Sequence, residues 1–112
     1  MSLSVVLRCN DLAETKRFYE AVLGFNVSDS ANGTLTVQRD GACLIFTAED
    51  LWRAPAGCTG TFYFAVADAT GYYQEVAPQA SVAWPLEPMS YGGQEFGIND
   101  CNGYTLAFRQ QV

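Results

Sequence analysis

Asp40-Gly41-Ala42-Cys43-Leu44-Ile45-Phe46 has a counterpart 62 positions later in Asn102-Gly103-Tyr104-Thr105-Leu106-Ala107-Phe108. Each begins with a dipeptide that favours left-handed backbone and runs into an apolar strand, the pattern of the second arm of a hairpin. A second pair lies ahead of it: Val6-Leu7-Arg8-Cys9-Asn10-Asp11 corresponds to Phe64-Ala65-Val66-Ala67-Asp68. There an apolar strand stops at an acidic residue able to cap a helix. Two matched pairs in the same order mean that one supersecondary unit occurs twice.

Working outward, the first copy reads as a strand over Ser2 to Arg8 and a helix over about 12 to 23. Asp11 and Glu14 form its capping box, and Gly24 is its left-handed stop. Three short strands follow: Phe25 to Asp29, Thr34 to Gln38 and Ala42 to Thr47, separated by Asn32-Gly33 and Asp40-Gly41. The second copy repeats this with Thr61 to Val66, a helix from Asp68 to about Val76, and strands at Ser81 to Trp84, Gln94 to Asn99 and Tyr104 to Arg109. The fold class is α+β, built of two βαβββ modules. The modules span about 1–48 and 61–112 of a single domain, with an irregular linker over about 48–60. A ferredoxin-like βαββαβ arrangement has too few strands for these hairpins.

Composition narrows the function classes. Six basic residues, nearly all isolated, against twelve acidic ones give a net charge of −6, which speaks against a nucleic-acid groove built from clustered Lys and Arg. An acidic field either attracts cationic small molecules or merely keeps the chain soluble. No apolar run is long enough to span a bilayer and the N-terminus has no signal-peptide pattern, so no membrane partner and a cytoplasmic location are expected. Cys9, Cys43, Cys58 and Cys101 form no C-x-x-C pair and read as reduced thiols. At 49% hydrophobic, the chain has the material for a core and a pocket.

Two segments carry a family resemblance: V-L-R-C-N-D-L-A-E-T-K-R-F-Y-E-A-V-L-G-F over Val6 to Phe25, and Y-G-G-Q-E-F-G-I-N-D-C-N-G-Y-T-L-A-F over Tyr91 to Phe108. They resemble the vicinal oxygen chelate superfamily, also called glyoxalase/bleomycin-resistance/dioxygenase. The resemblance implies that the two modules form a curved mixed sheet around a concave cleft that holds the ligand, within a homodimer. In metal-dependent members a ligand lies seven residues before each helix-opening Asp, which gives Ser4 and Thr61 here, and another lies four residues after the final hairpin Gly, which gives Ala107. The internal repeat makes Ile45 its first-half counterpart. None of the four offers the imidazole or carboxylate a divalent metal prefers, and the chain has no histidine. The expectation is therefore a metal-free member of the bleomycin-resistance type with no cofactor and no catalytic residue.

Strand alternation sorts the remaining candidates. Leu3, Val5, Leu7, Leu44, Phe46, Phe62, Phe64, Val66, Leu106 and Phe108 face the helices. The opposite parity brings Ser4, Arg8, Ile45, Thr61, Tyr63, Ala107 and Arg109 to the cleft, joined by Glu95. The resemblance implies that the regions carrying Trp52, Trp84, Met89 and Tyr91 border it, where the aromatics either stack on a planar ligand or pack in a core or interface. Glu95 would counter a cation, whereas Arg8 or Arg109, if buried unpaired, would favour an anion. Cys43 shares cleft parity but lacks a histidine to activate it. Asp11 and Asp68 read as helix caps. These residues favour binding and sequestration of a small, largely planar aromatic molecule, with a cationic one suited to the acidic field. The alternative is a metal-dependent lyase, isomerase or dioxygenase using unconventional ligands such as Glu49, Glu95 or Asp100. A third reading is a domain that regulates or scaffolds a partner protein.

Overall fold

The computed structural model describes residues 1–111. It contains β1 (Val5–Arg8), α1 (Leu12–Arg17), β2 (Asn26–Ser30), β3 (Thr34–Arg39) and β4 (Ala42–Thr47). Then come β5 (Thr61–Val66), α2 (Ala69–Val76), β6 (Ser81–Pro88), β7 (Gln94–Asn99) and β8 (Thr105–Gln110). The strands form two four-stranded mixed sheets, ordered β1-β4-β3-β2 and β5-β8-β7-β6. In each, the first and last strands of the module pair in parallel and the rest antiparallel. The chain divides into two compact units, one ending at Gly57 and the next starting at Cys58. Each holds one βαβββ module, as the repeat predicts.

In the first unit, Asp11 Oδ1 accepts from the amide of Glu14 at 2.9 Å, which starts α1 at the expected place. The helix does not continue to residue 23 in one form. α1 ends at Arg17, and Phe18–Val22 is a wider π turn in which the amide of Leu23 returns to the Phe18 carbonyl. Gly24, at φ 73°, then lets the amide of Phe25 reach the Tyr19 carbonyl. The wide turn buries Tyr19, Leu23 and Phe25 at once, at 0, 1 and 4% exposure. Tyr19 packs on Phe46 with ring centroids 5.1 Å apart. Asp40 and Gly41, at φ 48° and 90°, make the two-residue β3–β4 turn that their identities require.

The first strand is shorter than Ser2 to Arg8. It starts at Val5, and Leu3, expected to face the helix, is 77% exposed. β1 is an edge strand paired on one side only, so its leading residues have little to hold them.

In the second unit, Asp68 accepts from the amide of Gly71 and opens α2. Tyr72 lies 5.0 Å from Phe108 and 6.1 Å from Phe96, and Phe64 and Phe96 each stack on Phe108. This side of the sheet is the aromatic core. β6 runs on to Pro88 through Pro85, beyond the expected end at Trp84, because an edge strand tolerates proline. Its register shifts twice, on either side of Trp84.

Candidate functional site

With one face of the second sheet turned to α2, the other is set by the register. Tyr63, Ala107, Gly97 and Trp84 lie in one row across β5, β8, β7 and β6. Ala65, Arg109, Glu95 and Glu87 form the next row. Residues directly opposed in a ladder point to the same side, so the members of each row are neighbours.

Glu95 is the centre of this face. It is 4% exposed, yet each carboxylate oxygen has a partner: the Tyr63 hydroxyl donates to Oε2 at 3.1 Å and the Tyr91 hydroxyl to Oε1 at 3.0 Å. Tyr63 comes from β5. Tyr91 comes from the β6–β7 connection, a turn closed by the amide of Met89 on the Gly93 carbonyl at 2.8 Å and the amide of Gly92 on the Met89 carbonyl at 3.0 Å. Both tyrosine rings remain half exposed, at 54 and 46%. A buried acid thus holds two exposed rings by their hydroxyls. Desolvation first, then the hydrogen bond to Glu95 and its charge, raise both phenols above their ordinary value of 10.0, with Arg109 acting in the opposite direction.

Trp84 takes the neighbouring position. A Cβ on Gly97 would stand only 2.6 to 2.7 Å from Cε2, Cδ2 and Cε3 of its indole, so the ring lies flat on the glycine backbone. Among the described residues its buried Nε1 has no hydrogen-bond partner. Ala107, next in the row, is fully buried. Trp84 is therefore packed on the sheet on one side rather than standing free as a clamp, and Ala107 is not an open lining residue.

The structure brings Tyr63, Tyr91, Glu95, Arg109, Trp84 and Ala107 onto one face. Arg109 opposes Glu95 in register and is exposed, and no ion pair between the two is present among the described residues. Thr61 is exposed at the start of the same face, and Met89 is half-buried in the β6–β7 connection. The remaining candidates belong to the first unit. Arg8 pairs with Asp50 at 3.4 Å and donates to the Ala54 carbonyl, so it pins the irregular segment after β4 instead of awaiting an anion. That segment carries Trp52, 48% exposed. Ile45 is half-buried opposite Val6, and Ser4 precedes β1 and lines a surface depression of about 360 Å³ with Asn26, Gln38 and Cys43.

The positions that hold metal in metal-dependent relatives do not fit a divalent ion. Ser4 and Thr61 contribute hydroxyls, Ile45 and Ala107 hydrocarbon, and Ala107 is sealed. Of the unconventional ligands, Glu95 is engaged by two tyrosines, and Asp100 Oδ1 accepts from the amides of Asn102 and Tyr104 in a buried turn. Among the described residues, no three His, Cys, Asp or Glu side chains gather to hold a metal. The link from Tyr91 to Glu95 was the part of the site that strand parity does not reveal, because Tyr91 lies in a turn.

A model of the Glyoxalase/Bleomycin resistance protein/Dioxygenase superfamily matches residues 3–108, and the chain belongs to that superfamily. No curated protein sequence matches it. Among solved structures, TioX from Micromonospora sp. ML1 is 19% identical with a TM-score of 0.81, over 100% of this chain and 99% of that one. The glyoxalase/bleomycin resistance protein/dioxygenase from Alicyclobacillus acidocaldarius is 20% identical with a TM-score of 0.76, over 100% and 92% of the two chains. A protein of unknown function from Agrobacterium tumefaciens str. C58 is 21% identical with a TM-score of 0.77, over 96% and 90%. These likenesses are of fold. No helix among the described residues is long and apolar enough to cross a membrane.

Proposed function

We propose that this protein binds a small, largely planar aromatic molecule on the Tyr63–Glu95–Tyr91 face, sequestering it without metal chemistry, as a member of the bleomycin-resistance type. The observation that carries the reading is the burial of Glu95 beneath two half-exposed tyrosines that spend their hydroxyl protons on it. Burying a carboxylate costs stability, and a packed apolar residue would serve the core at least as well. What Glu95 supplies is orientation: two ring faces held at fixed angles, available for stacking with little further loss of side-chain freedom.

A screen of planar aromatic fragments by thermal shift tests this, since a ligand selective for the folded state raises the midpoint. Fragments that stabilise the wild type should lose the effect in the Tyr63→Ala/Tyr91→Ala variant. Equal stabilisation of both proteins would place the binding elsewhere. The family resemblance adds a homodimer to the proposal, which sedimentation checks. Metal analysis and a chelator-sensitive activity assay address the competing enzyme reading, and stoichiometric bound metal in the purified protein would favour it.

A further inference from the structure

We propose that the molecule bound on this face presents N–H donors to it, as an aromatic primary amide, lactam or ammonium does, rather than an anionic acceptor group. The inference rests on the binding reading above and deepens it. A tyrosine hydroxyl has one proton to give, and an ionised carboxylate can only accept. Tyr63 and Tyr91 each direct that proton at a different oxygen of Glu95, 3.1 and 3.0 Å away. Neither hydroxyl has a proton left for a ligand. What each still offers is a lone pair, made a stronger acceptor by the charge-assisted bond behind it. Glu95 thereby fixes the polarity of the rim: two acceptors, each at the end of an exposed ring, both within one hydrogen bond of a single carboxylate.

The charge at the same place is mixed, with Glu87 on one side of Glu95 in the row and Arg109 on the other. Arg109 stands directly across the ladder from Glu95 on the same face, and its field at both phenols opposes that of the carboxylate. An anion drawn by Arg109 meets Glu95, Glu87 and two outward lone pairs, whereas a donor group meets acceptors whether it is neutral or cationic. The overall charge of −6 acts at longer range and is screened by salt, whereas these groups are in the site itself. A planar group with N–H donors satisfies the tyrosine oxygens and stacks on the rings without the penalty an anion meets.

Benzamide, benzylammonium and benzoate provide one ring carrying a neutral donor, a cation or an anion. Each would be titrated into the isotope-labelled full chain and followed by amide chemical shifts. Wild type should bind benzamide and benzylammonium each at least fivefold more tightly than benzoate, with shifts centred on Tyr63, Glu95 and Tyr91. Tyr63→Phe and Tyr91→Phe should each weaken benzamide about fivefold, the worth of one hydrogen bond. In Glu95→Gln the amide can donate to one phenol and turn that hydroxyl outward, so benzamide should lose and benzoate gain about fivefold. If benzoate binds as tightly as benzamide or benzylammonium at these residues, the binding face stands and the donor inference falls. If none of the three shifts these residues, the binding reading itself falls and takes the inference with it.

Discussion

Replacing Gly97 by alanine tests the placement of Trp84. The new Cβ would stand 2.6 Å from Cε2 and 2.7 Å from Cδ2 and Cε3, where ordinary contact begins near 3.4 Å. The indole must therefore retreat by about 0.8 Å. Gly97 does not have the left-handed backbone that would itself penalise alanine, so the strain is confined to the ring contact. Overpacking of this kind costs about 1–3 kcal/mol. Two effects moderate it: alanine loses less chain entropy than glycine on folding, about 0.4–1 kcal/mol, and bulges flanking Trp84 on an edge strand give the ring room to lift. A net loss of about 1–2 kcal/mol should lower the midpoint by about 4–8 °C. Thermal unfolding reads the midpoint, and fluorescence in a Trp52→Phe background should show Trp84 emission shifted to the red as the indole meets water. Adding Trp84→Leu should make the Gly97→Ala cost less than additive. A Gly97→Ala protein as stable as its parent, with unchanged emission, would refute the indole lying on this glycine.

Other expectations follow from partners already described. Asp100→Ala removes the acceptor for two amides in a buried turn and should cost about 1–3 kcal/mol by chemical denaturation, with Asp100→Asn recovering most of it. Because Tyr63 and Tyr91 have raised values in the folded chain, their stabilising contribution is intact below pH 10.0 and is lost as pH rises through their folded values. Alkaline ultraviolet titration of wild type against Tyr63→Phe and Tyr91→Phe should assign a late-ionising phenol to each position, and Glu95→Gln should move both towards the ordinary value. The Arg8–Asp50 pair is partly exposed, so Arg8→Ala should cost no more than about 1 kcal/mol, but it should speed proteolysis between Glu49 and Cys58 by freeing that segment.

Much of the fold is legible in the sequence because its signals are local. Asp11 and Asp68 cap helices, Asp40-Gly41 makes a two-residue turn, and alternation in β4 and β8 separates Phe46 and Phe108 from the opposite face. The π turn at Phe18–Val22 is not legible, since its cause is the joint burial of Tyr19, Leu23 and Phe25 against a sheet formed by later residues. For the site, parity places Tyr63, Glu95 and Arg109 on one face, but hydrogen-bond partners are not a property of parity. Glu95 joins Tyr91 across a turn, and Arg8 finds Asp50 in an irregular segment. Trp84 reads equally as platform or packing until Gly97 opposite it is seen to leave a space the size of a side chain.

That a planar aromatic ligand rests on the Tyr63–Glu95–Tyr91 face would be read out residue by residue. Chemical-shift mapping of a bound aromatic fragment tests it most directly. Perturbations should concentrate on Tyr63, Tyr91, Glu95 and Arg109 and be lost in Tyr63→Ala/Tyr91→Ala. Perturbations confined to the first unit, for example around Asn26, Gln38 and Cys43, and unchanged in that variant, would contradict it.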